Sequence, residues 1–128
     1  MRTLKEIKSL NFEVIILWAG HYPLLSHCRA AVEIFNLQVR GEVQAWASSG
    51  YELIQEEIPE AGDHAAAWET SLMMYLRPEL VDLSQLPQDE NEELIGVMGR
   101  DPRQHASAEF GEKGVKLILE KIEEKINS

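Results

Sequence analysis

The period of the apolar positions changes along this chain, and the changes mark its elements. Residues 3–10 put Leu4, Ile7 and Leu10 at helical spacing, which predicts a short helix that Asn11 breaks. Val14-Ile15-Ile16-Leu17-Trp18 follows without a polar residue. A run that is apolar on both faces and rich in β-branched side chains predicts a central parallel strand. Gly20-His21-Tyr22-Pro23 ends it, and Pro23 suits a helix start, where its missing N–H costs little. Leu25, Cys28, Ala31, Val32 and Phe35 then recur at threes and fours, an amphipathic helix to about residue 36.

Farther on, Val39, Val43 and Ala45 predict a second strand within residues 39–46, interrupted by Gly41. Residues 51–57 predict a helical turn, and residues 59–63 a loop by their Pro and Gly. Over residues 65–76, Ala65, Trp68, Leu72, Tyr75 and Leu76 form one helical stripe, which Pro78 ends or kinks. Residues 86–93 are an acidic, proline-containing surface segment. Ile95-Gly96-Val97-Met98 predicts a short strand or extended piece, ended by Gly99 and Pro102. The last helix covers residues 107–126, with Val115, Ile118, Leu119, Ile122 and Ile126 inside and the Glu112/Lys116 and Lys121/Lys125 pairs on the wet side.

This order of elements predicts an α/β protein in a three-layer-like arrangement, with a mainly parallel sheet flanked by helices. Three strands make a thin sheet whose edge would expose an apolar strand, so the chain is expected to be part of something larger. Its 128 residues suit a single domain. The 22 acidic and 12 basic residues leave a net charge of −10, which disfavours nucleic acid and anionic membranes as partners. The longest apolar stretch, residues 14–20, falls far short of the ~20 residues that span a bilayer. The charged start Met1-Arg2-Thr3-Leu4-Lys5-Glu6 lacks the apolar core of a signal peptide. A lone cysteine, Cys28, makes a reducing cytoplasm the expected compartment, and free cysteines are mostly core residues.

Ligands of open α/β sheets bind beyond the carboxyl ends of the strands. The first strand delivers His21 there, after a glycine that permits a tight turn, as a metal ligand, a general acid-base or simply a turn hydrogen-bonder. A second cluster is Asp63-His64-Ala65-Ala66-Ala67-Trp68-Glu69-Thr70-Ser71. Five helical steps turn about 140°, so His64 and Glu69 meet only if His64 lies in the loop before the helix. Glu69 then has a functional partner, or else Asp63 is an N-cap and Glu69 is solvated. His27 and Cys28 lack further ligands at zinc spacing, and His105 reads as a cap or surface residue. No dinucleotide fingerprint, P-loop or nucleophile elbow is present.

Taken together, three segments resemble the creatininase (creatinine amidohydrolase) family, in its C-terminal half only. Val14 to Pro23 is similar to that family's strand and Gly-His turn. Asp63-His64-Ala65 through Glu69-Thr70-Ser71-Leu72, on to Leu83, is similar to its His-Ala-Gly-x-x-Glu-Thr-Ser block. Gly99-Arg100-Asp101-Pro102 with Ala106-Ser107-Ala108-Glu109-Phe110-Gly111 is similar to its C-terminal signature. The resemblance implies hydrolysis of a cyclic amide or related C–N bond at a two-metal centre of zinc or manganese. It makes His21 a metal ligand, His64 the catalytic histidine that passes a proton to the leaving nitrogen, and Glu69 its neighbouring orienter. Pro23 stands where the family has a ligand Glu, Leu24 replaces Asn, and Ala66 replaces the glycine. One of this half's two ligands is thus replaced, and the others, a Glu-x-His pair and a bridging Asp, belong to the family's N-terminal half. The implied partners are therefore a separate N-terminal-half chain or further copies of this one, since the family commonly forms hexamers, together with a small-molecule amide substrate.

Overall fold

A computed structural model describes residues 2–127, in two compact units, Met1–Leu53 and Ile54–Ser128. The first unit runs α1 (Arg2–Lys8), β1 (Val14–Trp18), α2 (Tyr22–Val39), β2 (Gln44–Ser48) and the start of α3 (Gly50–Ile54). β1 and β2 pair in parallel, with Val14 opposite Gln44 and Trp18 opposite Ser48. Parallel neighbours need a crossover, and α2 supplies it. Leu4, Ile15, Val32, Phe35, Val39, Val43 and Ala45 form one buried cluster, with Ile7, Leu17 and Ala47 against it. Burying Phe35 and its neighbours is what holds the crossover helix on the sheet, at roughly 1.5–3 kcal/mol per large apolar side chain.

The α/β class and the parallel pairing are as the sequence predicts, and β1 has the predicted bounds. The second strand does not. Val39 continues the spacing of Val32 and Phe35 and belongs to α2, which ends only where Arg40 (φ 50) and Gly41 (φ 86) turn left-handed. The strand therefore starts later, at Gln44. β1 is also not covered on both sides: Ile15 and Leu17 face the core, whereas Trp18, on the alternate face with Val14 and Ile16, is 46% exposed. Cys28 is half-buried rather than core.

In the second unit, α4 (Ala67–Leu76) is followed by two 3₁₀ turns (Pro78–Leu80 and Leu83–Gln85), the short α5 (Pro102–His105) and the long α6 (Ala108–Ile126). The expected third strand is absent among the described residues. Positive φ at Gly96 and Gly99 breaks the extended run, and Met98 makes only an isolated antiparallel bridge to His64. Among the described residues the sheet thus has two strands, not three.

Helices α4 and α6 pack closely through small residues. A Cβ at Gly111 would overlap the Ser71 carbonyl and one at Gly114 would overlap the Trp68 ring. The buried positions of α6 are accordingly Gly111, Gly114 and Ile118, while Leu119 and Ile126, expected inside, are exposed. On α4 the buried set is Ala67, Trp68 and Ser71, and Tyr75 and Leu76 are exposed. Phe110 meets the edge of Trp68 at 5.7 Å between centroids. The Ser71 hydroxyl donates to the Ala67 carbonyl and accepts the Ser107 N–H at 3.0 Å. Ser107 in turn caps α6 by accepting from Phe110 N–H. Among the described residues no helix is long and apolar enough to cross a membrane.

Alanine in place of glycine at an open helix position adds about 1 kcal/mol of stability. At Gly111 the sign reverses, because overpacking costs about 1–3 kcal/mol. Equilibrium urea unfolding of Gly111→Ala is expected to show the loss; a midpoint at or above that of the parent chain would refute the close helix approach.

Candidate functional site

Two places carry the predicted site residues, one in each unit. In the first unit, Ala19 N–H still donates to the Ser48 carbonyl at 2.9 Å, so the chain stays on the sheet until Gly20. His21 then occupies the N-cap of α2 in an extended conformation, and its side chain makes no capping hydrogen bond. Its carbonyl accepts Leu24 N–H at 3.0 Å, so the backbone is fixed while the exposed ring is left out of the turn's bonding. Pro23 sits in the first helical turn, as predicted.

Beyond the end of β2, Ser49 N–H donates to Glu52 at 3.3 Å, and Glu52 pairs with Arg29 at 2.8 Å. Tyr51 lies 4.3 Å from Tyr22 between ring centroids. Desolvation first, then Tyr51 and the negative Glu52, push the Tyr22 phenol above its ordinary pKa. Sequence reasoning passed over this tyrosine pair, since residues 22 and 51 are joined only by the parallel pairing of the two strands.

In the second unit, His64 precedes α4, as an encounter with Glu69 required. The link between them is through the backbone: the Glu69 carboxylate accepts Ala65 N–H at 2.8 Å. That bond supports Ala65 in a left-handed conformation (φ 50), which a non-glycine residue rarely adopts. Asp63 does the capping: its Oδ2 accepts Trp68 N–H at 2.7 Å and its Oδ1 accepts Glu69 N–H at 3.0 Å. Both alternatives left open by the sequence are therefore partly right. Asp63 caps the first-turn amides, but from three residues before the N-cap position, which Ala66 holds, and the exposed Glu69 bonds the Ala65 amide rather than the His64 ring. Desolvation raises the pKa of the Asp63 carboxyl and the nearby Glu69 charge adds to it, against the two amide bonds and His64, which lower it.

A third segment, which sequence reasoning valued only as part of a signature, holds this turn. Met98 exchanges two backbone bonds with His64, both 2.9 Å, and the Arg100 carbonyl accepts Ala67 N–H at 2.9 Å. Gly99 (φ 146) lies against Asp63 and Ala66, where a Cβ would come within 2.8 Å of each of their Cβ atoms. The Arg100 guanidinium donates to Glu60 at 2.9 Å and to His105 Nδ1 at 3.0 Å. Asp101 caps α5 and holds Arg103, whose guanidinium also reaches the carbonyls of Pro87, Asp89, Glu90 and Glu92 and so tethers the acidic segment. The Arg103 hydrogen bonds keep the Asp101 carboxyl below the usual carboxylate range.

Among the described residues no three His, Cys, Asp or Glu side chains come together to hold a metal ion. His21 offers one imidazole, and Pro23 and Leu24 beside it have no donor atoms. The described residues do not by themselves fit a metal centre.

The family model of creatininase (creatinine amidohydrolase) matches residues 1–126, and the chain belongs to this family. Members of this family are generally metal-dependent. Among solved structures, a tryptophan-to-phenylalanine mutant creatininase matches with a TM-score of 0.70 at 20% identity, over 98% of this chain and 60% of its own. A Bacteroides fragilis protein assigned as a creatinine amidohydrolase gives 0.67 at 20% identity, over 94% and 55%. A glutamate-to-glutamine mutant creatininase complexed with creatine gives 0.67 at 20% identity, over 98% and 60%. This chain thus spans 55–60% of the length of these structures. No curated protein matches it in sequence.

The cap makes a prediction about acid stability. Because the pKa of Asp63 is raised from 3.8, the folded chain keeps a proton just above pH 3.8 that the unfolded chain has released. Its contribution to stability therefore falls as pH rises through that window. Asp63→Ala removes both capping acceptors, an expected loss of about 1–2 kcal/mol at neutral pH, and removes this falling contribution as well. Urea unfolding at stepped pH from the acid side checks both; an unchanged slope would refute the assignment.

Proposed function

We propose that this chain belongs to a creatininase-like amidohydrolase that cleaves a cyclic amide or related C–N bond, and that it contributes the proton-transfer residue. The observation that carries this reading is the His64 turn, an exposed imidazole on a backbone tied by Met98 at His64 itself and by Glu69 at Ala65. The backbone that carries the ring is held in place, while the ring itself makes no structural hydrogen bond among the described residues. In the proposed reaction a water oxygen ends on the carbonyl carbon and the C–N bond breaks. His64, as imidazolium, gives its proton to the leaving nitrogen, and a proton from the attacking water restores it. Glu69 acts as an orienter, setting the Ala65 backbone on which His64 depends.

His21 is proposed as one ligand of a zinc or manganese ion whose other ligands come from another chain. Two features support an assembly of this kind, by self-association or by pairing with an N-terminal-half chain. Among the described residues β1 and β2 pair only with each other, which leaves strand edges open, and the exposed Trp18 is an apolar group that a partner can cover. The cytoplasm is the proposed compartment, on the single cysteine. A second reading is an interaction module, or a metal-free small-molecule binder, that keeps the fold without the chemistry. Pro23 and Leu24, which carry no ligand atoms, favour it.

The test isolates the chain with its native partners, measures the assembly's mass by light scattering, and assays hydrolysis of creatinine and other cyclic amides. The expected result is a species heavier than 14.5 kDa whose activity drops about 10²–10⁴-fold in His64→Ala, the range for loss of a general acid. A 14.5 kDa monomer with no partner, or activity indifferent to His64, would sink the reading.

Metal binding gives a separate prediction. Titrated alone with zinc or manganese in a calorimeter, the chain is expected to bind weakly, through a lone imidazole. Tight one-to-one binding would show a complete site in this chain and overturn the need for a partner's ligands.

A further inference from the structure

We propose that Arg100 is a positioning residue for His64, a role that rests on the reading of His64 as the proton-transfer group. The route is short and covalent at one end. The Arg100 carbonyl holds Ala67 N–H, and two residues earlier Met98 holds both the N–H and the C=O of His64. Residues 98–100 are thus a strap across the turn, gripping it on both sides of the left-handed Ala65. A strap bonded only to the turn would move with it. The Arg100 side chain anchors it elsewhere, to Glu60 on the chain entering the turn and to His105 at the end of α5. A guanidinium only donates, so His105 Nδ1 accepts, and its ring proton sits on Nε2. Gly99 lets the strap lie down: with φ 146 and Asp63 and Ala66 beneath it, a side chain there would lift the segment from the turn.

The two effects of losing Arg100 separate cleanly. Its side chain is about half exposed and that of Glu60 about a third, and ion pairs so open to solvent contribute little to global stability. The strap, in contrast, is what limits local opening of the His64 turn. Arg100→Ala is therefore expected to leave the unfolding midpoint nearly unchanged. It should raise hydrogen exchange at the His64, Ala67 and Met98 amides severalfold while α6 amides stay protected. It should also shift and broaden the His64 ring resonance in carbon-13 spectra. Arg100→Lys, which can reach one of the two anchors, should restore part of each change, and Glu60→Gln should give a smaller version of the alanine effect.

In the native assembly, loss of positioning should lower kcat more than it raises KM. Exchange at the three amides that stays as in the parent chain overturns the proposal, as does a rise that spreads equally through α6, which would make Arg100 a general stabiliser. If the amides respond as expected but His64→Ala leaves activity unaffected, the positioning of the turn stands and the assignment of His64 falls.

Discussion

The first turn of a helix leaves amide groups without partners in their own helix, and how α4 satisfies them governs everything around His64. Ala67 N–H goes to the Arg100 carbonyl, and Trp68 and Glu69 N–H go to the two oxygens of Asp63. The three acceptors lie on both sides of the helix in sequence, so capping α4 also joins the turn before it to a strap more than thirty residues later. Glu69 then reaches back from the same helix to Ala65. A helix start, a strained turn and a distant segment are fixed by one set of hydrogen bonds. His64 sits in the middle of them with its ring exposed.

The packing of α4 explains why this set of bonds is stable. The helix is apolar nearly all round, yet only Ala67, Trp68 and Ser71 are buried. They are buried because α6 comes close, and α6 can come close because Gly111 and Gly114 present no side chains to Ser71 and Trp68. Close approach also brings Ser107 N–H to the Ser71 hydroxyl, joining the start of α6 to α4. Packing and capping thus act on the same helix from different sides. The first unit shows a simpler economy, in which a crossover helix and a two-stranded sheet share one apolar cluster, while Trp18 is left without cover.

Periodicity was enough for the elements with one strong pattern and misled where two patterns met. The apolar run of β1 was legible to the residue, because no helix and no turn competes for five consecutive apolar residues. Val39 fitted either the end of a helix or the start of a strand. The choice went to the helix, because its side chain reaches the cluster around Phe35 from there. The expected strand at Ile95-Gly96-Val97-Met98 failed for a local reason, two positive-φ glycines. The stripes predicted for α4 and α6 held at Trp68 and Ile118 but not at Tyr75, Leu76, Leu119 and Ile126, for a nonlocal reason. Apolar spacing identifies a face that is able to be buried, but which face is buried depends on where the partner helix can approach.

The class of this protein, its first strand, the positions of its main helices and the family motifs around His21, His64 and Glu69 were legible in the residues alone. These are written in contiguous residues or in fixed spacings, so no knowledge of the partner segments is needed to read them. The folded chain alone shows that Glu69 reaches His64 through the Ala65 amide rather than by direct side-chain contact, and that the Gly99-Arg100-Asp101-Pro102 segment straps the turn. Both answers depend on backbone groups, which every residue carries alike. A hydrogen bond from Ala67 to Arg100 leaves no trace in residue type, and it exists only once the chain has brought the two together.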